Sequence, residues 1–167
     1  MQIGESFVGE GADAAHVNTV LGTKDGPAGM AWATALATPR QGHVPFVAVL
    51  RPNLPTRPLT LFVNKATIAG DGHATLTWGA AQAGVAAGVA DAVHAGTVPA
   101  ESADDLVLIA AVWVNPAAAD ADAVYVNNRA ATARALAAGA RGTPTLSEAL
   151  AARGQPENPF FRPTDAR

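Results

Sequence analysis

The chain has 167 residues, of which 11 are basic and 14 acidic, so its formal net charge is −3 at neutral pH. The charges are interspersed, which leaves no basic stripe for nucleic acid and no polybasic segment for a membrane surface. Cysteine is absent, which excludes disulfides, thiolate metal ligands and a cysteine nucleophile. The N-terminal residues lack a signal-peptide pattern, and the apolar run over 106–114 is about half a membrane span. We therefore expect a cytoplasmic protein with no nucleic-acid or membrane partner.

The predicted elements alternate between strands and helices along the chain. Residues 2–8 and 14–22 are predicted to form a β-hairpin joined by the turn GEGAD. The later predictions are a helix over 28–38, a strand over 44–50, a proline-rich connector over 51–58, a strand over 59–68, a helix over 80–95, a buried strand over 106–114 and a helix over 117–140. A tail with one short helix follows from about 141. This order predicts a single α+β domain over residues 1–167.

The composition favours self-association. Charged residues make up 15% of the chain and apolar residues 49%, so part of the surface is expected to contact another copy. Gly84 and Gly88 lie one turn apart in the predicted 80–95 helix. Since glycine costs about 1 kcal/mol in a helix interior, the pair predicts close backbone approach to a neighbour.

Polar residues within apolar segments are the candidates for chemistry. His16 and Asn18 share one face of their predicted strand, and Lys65 and Thr67 share one face of theirs. Gln82 opens the glycine-containing helix. Each residue also has a structural interpretation: a hydrogen-bonded pair on a sheet for His16 and Asn18, an edge lysine for Lys65, an ordinary strand residue for Thr67 and a helix N-terminal side chain for Gln82.

Metal and nucleotide sites are not indicated. The remaining histidines lack metal-ligand spacing and are predicted at the surface; they are His43, His73 and His94. Phosphate-binding, serine-hydrolase and zinc-protease motifs are missing. Without a family comparison, the residues predict only an oligomeric α+β domain.

Four segments nevertheless resemble the formaldehyde-activating enzyme family. They are GESFVGEGADAAHVNTVLG, VLRPNLPTRPLTLFVNKATI, WGAAQAGVAAGVADAV and VPAESADDLVLIAAVWV, followed by a closing NPF. The resemblance covers about residues 3–161. It implies an α/β fold like domain 2 of ribosomal protein S5, and a homopentamer with active sites between subunits. The implied activity condenses formaldehyde with tetrahydromethanopterin, giving the methylene-bridged pterin and water.

The resemblance also assigns roles to individual residues. It places the catalytic histidine at His16, as an acid that protonates the leaving oxygen of a carbinolamine. The implied pterin contacts are Asn18, Val47, Lys65, Thr67 and Gln82. The pterin would be a co-substrate, with no permanently bound cofactor and no metal. The family usually has aspartate at Asn18, histidine at Ala83 and leucine at Val47.

Two other functions remain open from the sequence. The chain could be a non-catalytic module that binds a pterin or an aldehyde adduct, which the uncharged Asn18 and Ala83 favour. It could also perform a different aldehyde condensation through a Schiff base on Lys65, which requires burial to lower the pKa of that lysine.

Overall fold

A mixed five-stranded sheet forms the centre of the molecule, in a computed structural model that describes residues 1–159 and 161–163. Its strand order is β1-β2-β7-β6-β3, and β4 and β5 form a separate two-stranded ribbon. The strands are β1 (Gln2–Val8), β2 (Ala15–Thr23), β3 (Phe46–Val47), β4 (Val49–Arg51), β5 (Leu54–Pro55), β6 (Leu59–Asn64) and β7 (Leu106–Trp113). Neighbouring strands are antiparallel except for the parallel pair β6 and β7.

The helices cover the sheet unequally. They are α1 (Pro27–Ala37), α2 (Asp71–Thr75), α3 (Gln82–His94), α4 (Ala121–Arg141) and α5 (Leu146–Ala151), with a π-helical segment over Leu76–Ala81. Helix α4 packs on β1, β2 and α3, whereas α1 contacts β2 and β7. The α4 N-terminus is capped by the Asp120 side chain, and the helix stops at Gly142, whose φ is 64°. These contacts confirm a mixed α/β architecture.

The alternation of β2 separates a closed face of the sheet from a partly open one. Val17, Thr19 and Leu21 are buried beneath the helices, as the sequence pattern predicts. His16, Asn18 and Val20 lie on the opposite face and are only partly covered. The fold therefore keeps His16 and Asn18 accessible without opening the core.

The strand prediction over 106–114 is confirmed, because β7 lies between β2 and β6 at the centre of the sheet. Alternate residues of β7 differ in burial, however, and one face is partly covered rather than fully closed. The predicted hairpin over 2–22 is also confirmed.

Several predicted boundaries are wrong. The 44–50 strand is split into β3 and β4, and the 59–68 strand ends at Asn64. The 80–95 helix is the second half of a helical run that begins at Asp71. The 117–140 helix begins at Ala121, because Asn115 and Asp13 bind the preceding backbone N–H groups in a turn. The short helix of the tail is α5, and Phe160 of the NPF motif lies outside the described residues.

The glycine pair of α3 approaches a helix of the same chain. A Cβ atom at Gly84 would lie 2.4 Å from the Tyr125 carbonyl oxygen, and one at Gly88 would lie 2.5 Å from that of Arg129. Both carbonyls belong to α4. The predicted close approach is confirmed, but it does not indicate a subunit contact.

Candidate functional site

Three polar side chains meet on the partly open face of the sheet. The Nζ atom of Lys65 lies 2.7 Å from Oδ1 of Asn18 and 3.2 Å from Nδ1 of His16. Lys65 follows β6 directly, and its backbone N–H still donates to the Val112 carbonyl, at 2.7 Å. This bond extends the β6–β7 ladder by one residue and directs Lys65 towards β2. The structure thus brings together three of the predicted site residues.

Glu5 completes this group from the neighbouring strand. Its Oε1 atom lies 2.9 Å from Nε2 of His16, and the side chains of His16 and Glu5 are 35% and 59% exposed. In the β1–β2 register, Glu5 is opposite Asn18 and Phe7 is opposite His16. The Phe7 and His16 ring centroids are 5.9 Å apart. One side of the imidazole is therefore packed, and both of its nitrogens have polar partners.

The hydrogen-bonding roles follow from the chemistry of these groups. An ammonium group can only donate, so Lys65 donates to the amide oxygen of Asn18 and to Nδ1 of His16. Nε2–H of His16 then donates to the Glu5 carboxylate. This arrangement assigns a neutral imidazole in the Nε2–H form, held between a cation and an anion.

The surroundings shift the pKa values of both bases downwards. Burial lowers the pKa of His16 and the Lys65 charge lowers it further, whereas Glu5 opposes these effects by charge and hydrogen bonding. Burial also lowers the pKa of Lys65, again against the attraction of Glu5. The Nζ atom of Lys65 and Nδ1 of His16 are 3.2 Å apart, which is close enough for a proton to pass directly between the two bases.

Thr67 lies in a second polar group. Its hydroxyl is 3.1 Å from Nε2 of His43, whose Nδ1 is 3.0 Å from the carbonyl oxygen of Asn64. Thr67 is exposed and lies beyond β6, so the prediction that it shares a strand face with Lys65 is wrong. The chain turns after Lys65 because the Asn64 side chain binds the carbonyls of Gly42 and Ala66.

Gln82 is buried and binds the backbone of β4. Its Oε1 accepts from the N–H of Val49 at 2.7 Å, and its Nε2 donates to the Val49 carbonyl at 3.1 Å. This pair of bonds attaches the small β4–β5 ribbon to α3. The prediction that Gln82 caps a helix N-terminus is wrong, because the helical run begins upstream of Gln82 and its side chain binds β4 instead.

Val47 lies opposite Leu61 on β6, and Leu61 is opposite Ile109 on β7. Since Ile109 is opposite Val20, Val47 belongs to the same sheet face as His16 and Asn18. It is half-buried. The structure therefore places Val47 on the partly open face of the sheet, but three strands away from His16.

The other histidines differ from one another. His94 is exposed and His43 is partly covered. His73 is buried: its Nδ1 accepts from the Ala69 N–H at 3.1 Å, and Nε2–H donates to the Val114 carbonyl at 3.0 Å. The prediction of a surface position is wrong for His73, which instead ties α2 to the end of β7.

A cleft of about 770 Å³ opens beside Phe7. Residues of the β1–β2 turn form one side and residues 157–159 and 162 form the other. Its volume falls within the range of small-molecule sites, and it lies next to the ring that packs on His16. None of the predicted pterin contacts lines it.

Two kinds of feature are missing from the described residues. In residues 1–159 and 161–163, no three His, Asp or Glu side chains are grouped so that they could hold a metal ion. Within those same ranges, no helix combines the length and apolar character required to cross a membrane.

Comparisons with known proteins identify the family of this chain. The family model for formaldehyde-activating enzyme (Fae) matches residues 3–161. A "5,6,7,8-tetrahydromethanopterin hydro-lyase" from Methanosarcina barkeri is 44% identical over 120 residues, which are 72% of this chain and 67% of that protein.

Longer relatives match a similar share of the chain. A "Bifunctional enzyme Fae/Hps" from Archaeoglobus fulgidus is 50% identical over 117 residues, 70% of this chain. One of the same name from Methanococcoides burtonii is 48% identical over 120 residues, 72% of this chain. The matched region spans about 30% of the length of each of these bifunctional relatives.

Proposed function

Because this chain belongs to the formaldehyde-activating enzyme family, we propose that it is a lyase that condenses formaldehyde with tetrahydromethanopterin to methylene-tetrahydromethanopterin and water. One observation carries the proposal: His16 is held between Lys65 and Glu5 on the accessible face of the sheet. A base and an acid within one hydrogen-bonded group suit a reaction in which protons move between nitrogen and oxygen.

His16 is proposed as the acid of this reaction. A pterin nitrogen adds to formaldehyde, and the resulting carbinolamine must lose its hydroxyl group. An imidazolium at His16 would protonate that oxygen, so that water rather than hydroxide leaves. Glu5 supports this state because its carboxylate raises the pKa of His16. Such acid catalysis typically contributes about 10²–10⁴-fold, and holding both substrates together would contribute the rest.

Binding of the pterin is proposed at the remaining predicted residues. Lys65 and Asn18 are adjacent to His16, whereas Thr67 and Gln82 have other partners in the same chain. If the site forms between two subunits, Thr67 and Gln82 of one subunit would lie close to His16 of another. The pterin is then a co-substrate that enters and leaves with each turnover, and the proposal includes neither a resident cofactor nor a metal.

We propose a homopentamer for the assembled protein. Several large apolar side chains are exposed in the single chain, including Met30 on α1 at 74% and Trp78 at 47%. Surfaces of this kind favour association. The proposal also includes a cytoplasmic location and the specific topology of ribosomal protein S5 domain 2, which the resemblance implies.

The decisive experiment measures formaldehyde-dependent formation of methylene-tetrahydromethanopterin, corrected for the spontaneous reaction. The wild-type chain is expected to accelerate it, and His16→Ala is expected to bring the rate close to the spontaneous one while the pterin still binds. His94→Ala is the matched control, because His94 is exposed at the end of α3. Pterin binding without any acceleration by the wild-type chain would support the binding-module alternative instead.

A further inference from the structure

Lys65 has an unusual set of neighbours for a lysine in a polar site. Its Nζ atom contacts a neutral amide oxygen and a neutral imidazole nitrogen, whereas the nearby Glu5 carboxylate binds His16. No carboxylate is hydrogen-bonded to the ammonium group among the contacts of the described residues. The side chain is also half-buried. Both features reduce the stabilisation of the charged form relative to an exposed, ion-paired lysine.

The contact with His16 provides a route for the proton. Transfer from Lys65 Nζ to His16 Nδ1, across 3.2 Å, gives a neutral amine and an imidazolium. The imidazolium then lies against the Glu5 carboxylate, at 2.9 Å from Nε2. The total charge of the group is unchanged by this transfer. One proton movement therefore produces a nucleophile and an acid next to each other.

We propose that Lys65 is a covalent carrier of formaldehyde, which its amine captures before the pterin attacks. The proposal deepens the proposed function, on which it rests, by adding a lysine-bound intermediate to the same reaction. The downward shift of the Lys65 pKa by burial agrees with it.

The capture step balances with the groups present. The Lys65 amine forms a C–N bond to the formaldehyde carbon while the C=O π electrons move to oxygen. That oxygen takes a proton from the His16 imidazolium, and the nitrogen returns one to the imidazole, leaving a carbinolamine. The regenerated imidazolium protonates the hydroxyl group, and water leaves as the Lys65 lone pair forms a C=N bond. The product is a lysine methylene-iminium ion and neutral His16.

Transfer to the co-substrate regenerates the lysine. One pterin amine attacks the iminium carbon, and its proton passes to the Lys65 nitrogen. Expulsion of the neutral Lys65 amine leaves the methylene on the pterin as an iminium. The second pterin amine then closes the ring and loses its proton to His16. The sum is formaldehyde plus the reduced pterin giving the methylene pterin and water, with no external oxidant or reductant.

The chain contains an internal reference for testing this idea, because Lys24 and Lys65 are its only lysines. Lys24 is exposed, and its ammonium group binds the Asp104 carbonyl. The experiment treats the intact protein with limiting formaldehyde and cyanoborohydride at neutral pH, without pterin. The reductant converts a methylene-iminium ion into a methyl group, and peptide mass spectrometry compares the two lysines.

Methylation of Lys65 is expected to exceed that of Lys24 by at least tenfold. Asn18→Asp is the matched variant, since it preserves size but places a carboxylate at the hydrogen-bonding position next to Lys65. It should reduce Lys65 methylation about tenfold and leave Lys24 unchanged. Equal labelling of both lysines, or labelling of Lys65 that is insensitive to Asn18→Asp, would overturn the proposal.

A second measurement separates this proposal from the proposed function. Lys65→Arg keeps a cation for pterin binding but cannot form an iminium ion, so its catalysed condensation should fall to the spontaneous rate while pterin still binds. Selective trapping at Lys65 without condensation in the wild-type chain would reject the pterin reaction and support the carrier. Catalysed condensation that survives Lys65→Arg would support the pterin reaction and reject the carrier.

Discussion

Nε2–H of His16 donates a 2.9 Å hydrogen bond to the Glu5 carboxylate across the first strand pair of the sheet. This contact is diagonal, because Glu5 is directly opposite Asn18 rather than His16. Glu5 is the functional candidate that the sequence alone did not identify. Its carboxylate raises the pKa of His16 and thereby counteracts the burial of the imidazole and the charge of Lys65.

Replacement of Glu5 by glutamine should therefore impair the acid. Without the carboxylate the pKa of His16 falls further, so the imidazolium is lost at a lower pH and the rate begins to decline earlier as pH rises. We expect about a three- to tenfold loss of kcat near neutral pH, since the pair is partly exposed and screened by water. Glu101→Gln removes the same charge at an exposed position and is the control.

The pH–rate profile distinguishes this positioning role from a structural one. An unchanged profile with a uniformly lower rate would mean that Glu5 merely supports the fold. Rescue by Glu5→Asp would in turn support the charge as the active feature.

Gln82 illustrates a predicted site residue with a structural function of its own. Gln82→Met should lower the unfolding free energy by about 2 kcal/mol, because it leaves the Val49 N–H and C=O without their partners. Urea denaturation measures this loss. Gln155→Met, at an exposed position in the tail, is expected to change stability little. Unchanged stability together with a higher pterin KM would instead support a direct contact with substrate.

The register of the hairpin explains why Glu5 could not be assigned from the sequence. The predicted strands, 2–8 and 14–22, leave the five residues GEGAD as the turn, which would place Glu5 opposite Val17. The observed pairing begins with Val8 opposite Ala15, so Glu5 is opposite Asn18. Since a shift of one residue exchanges the faces of a strand, the sequence pattern could not decide which side Glu5 occupies relative to His16.

The contact between Lys65 and His16 has a related explanation. Alternation in β2 correctly predicted that His16 and Asn18 share a face, because that information is local. Lys65 is 49 residues from His16 in the chain and reaches it through the order β2-β7-β6, which no local pattern specifies. Lys65 is predicted as a site residue both from its place in an apolar segment and from the motif resemblance. The strand predicted over 59–68 is present but ends at Asn64, because the side chain of Asn64 turns the chain with its hydrogen bonds.

Close packing of α3 against α4 gives a prediction about stability. Gly88→Ala should lower the unfolding free energy by about 1–3 kcal/mol, because the added Cβ meets the backbone of α4 at 2.5 Å. This range is the net loss, because the gain of about 1 kcal/mol that alanine brings to a helix interior offsets only part of the clash. Thermal or urea unfolding provides the test. Gly79→Ala is the control, since a Cβ there meets nothing within 4 Å; equal effects would contradict the packing argument.

The exposed apolar surface gives a prediction about assembly. Trp78 borders a hollow of about 230 Å³ with Val44 and Phe46, and a second copy would cover it in the proposed pentamer. Trp78→Glu should shift the protein to smaller species in light scattering or sedimentation, because a carboxylate would be desolvated at that contact. Val126→Glu is the control, because it introduces the same charge at an exposed position on α4. An unaltered assembly in Trp78→Glu would place the subunit contact elsewhere.

Asn18 places an uncharged amide next to Lys65, and its replacement by aspartate tests whether the reaction passes through a lysine carrier. Asn18→Asp places an anion 2.7 Å from the position of Nζ, which raises the pKa values of Lys65 and His16 relative to those in the wild-type chain. A carrier must react as the neutral amine, so the rising limb of the pH–rate profile should move to higher pH. A charge-assisted hydrogen bond of about 1.5 kcal/mol corresponds to about a tenfold lower kcat at neutral pH, with recovery in alkaline buffer.

Asn53→Asp is the control, because it adds the same charge in the exposed β4–β5 turn and should leave the profile unchanged. If His16 were an acid acting without a carrier, the added anion would favour its imidazolium form and raise the neutral-pH rate; the direction of the change in kcat therefore decides between the two mechanisms.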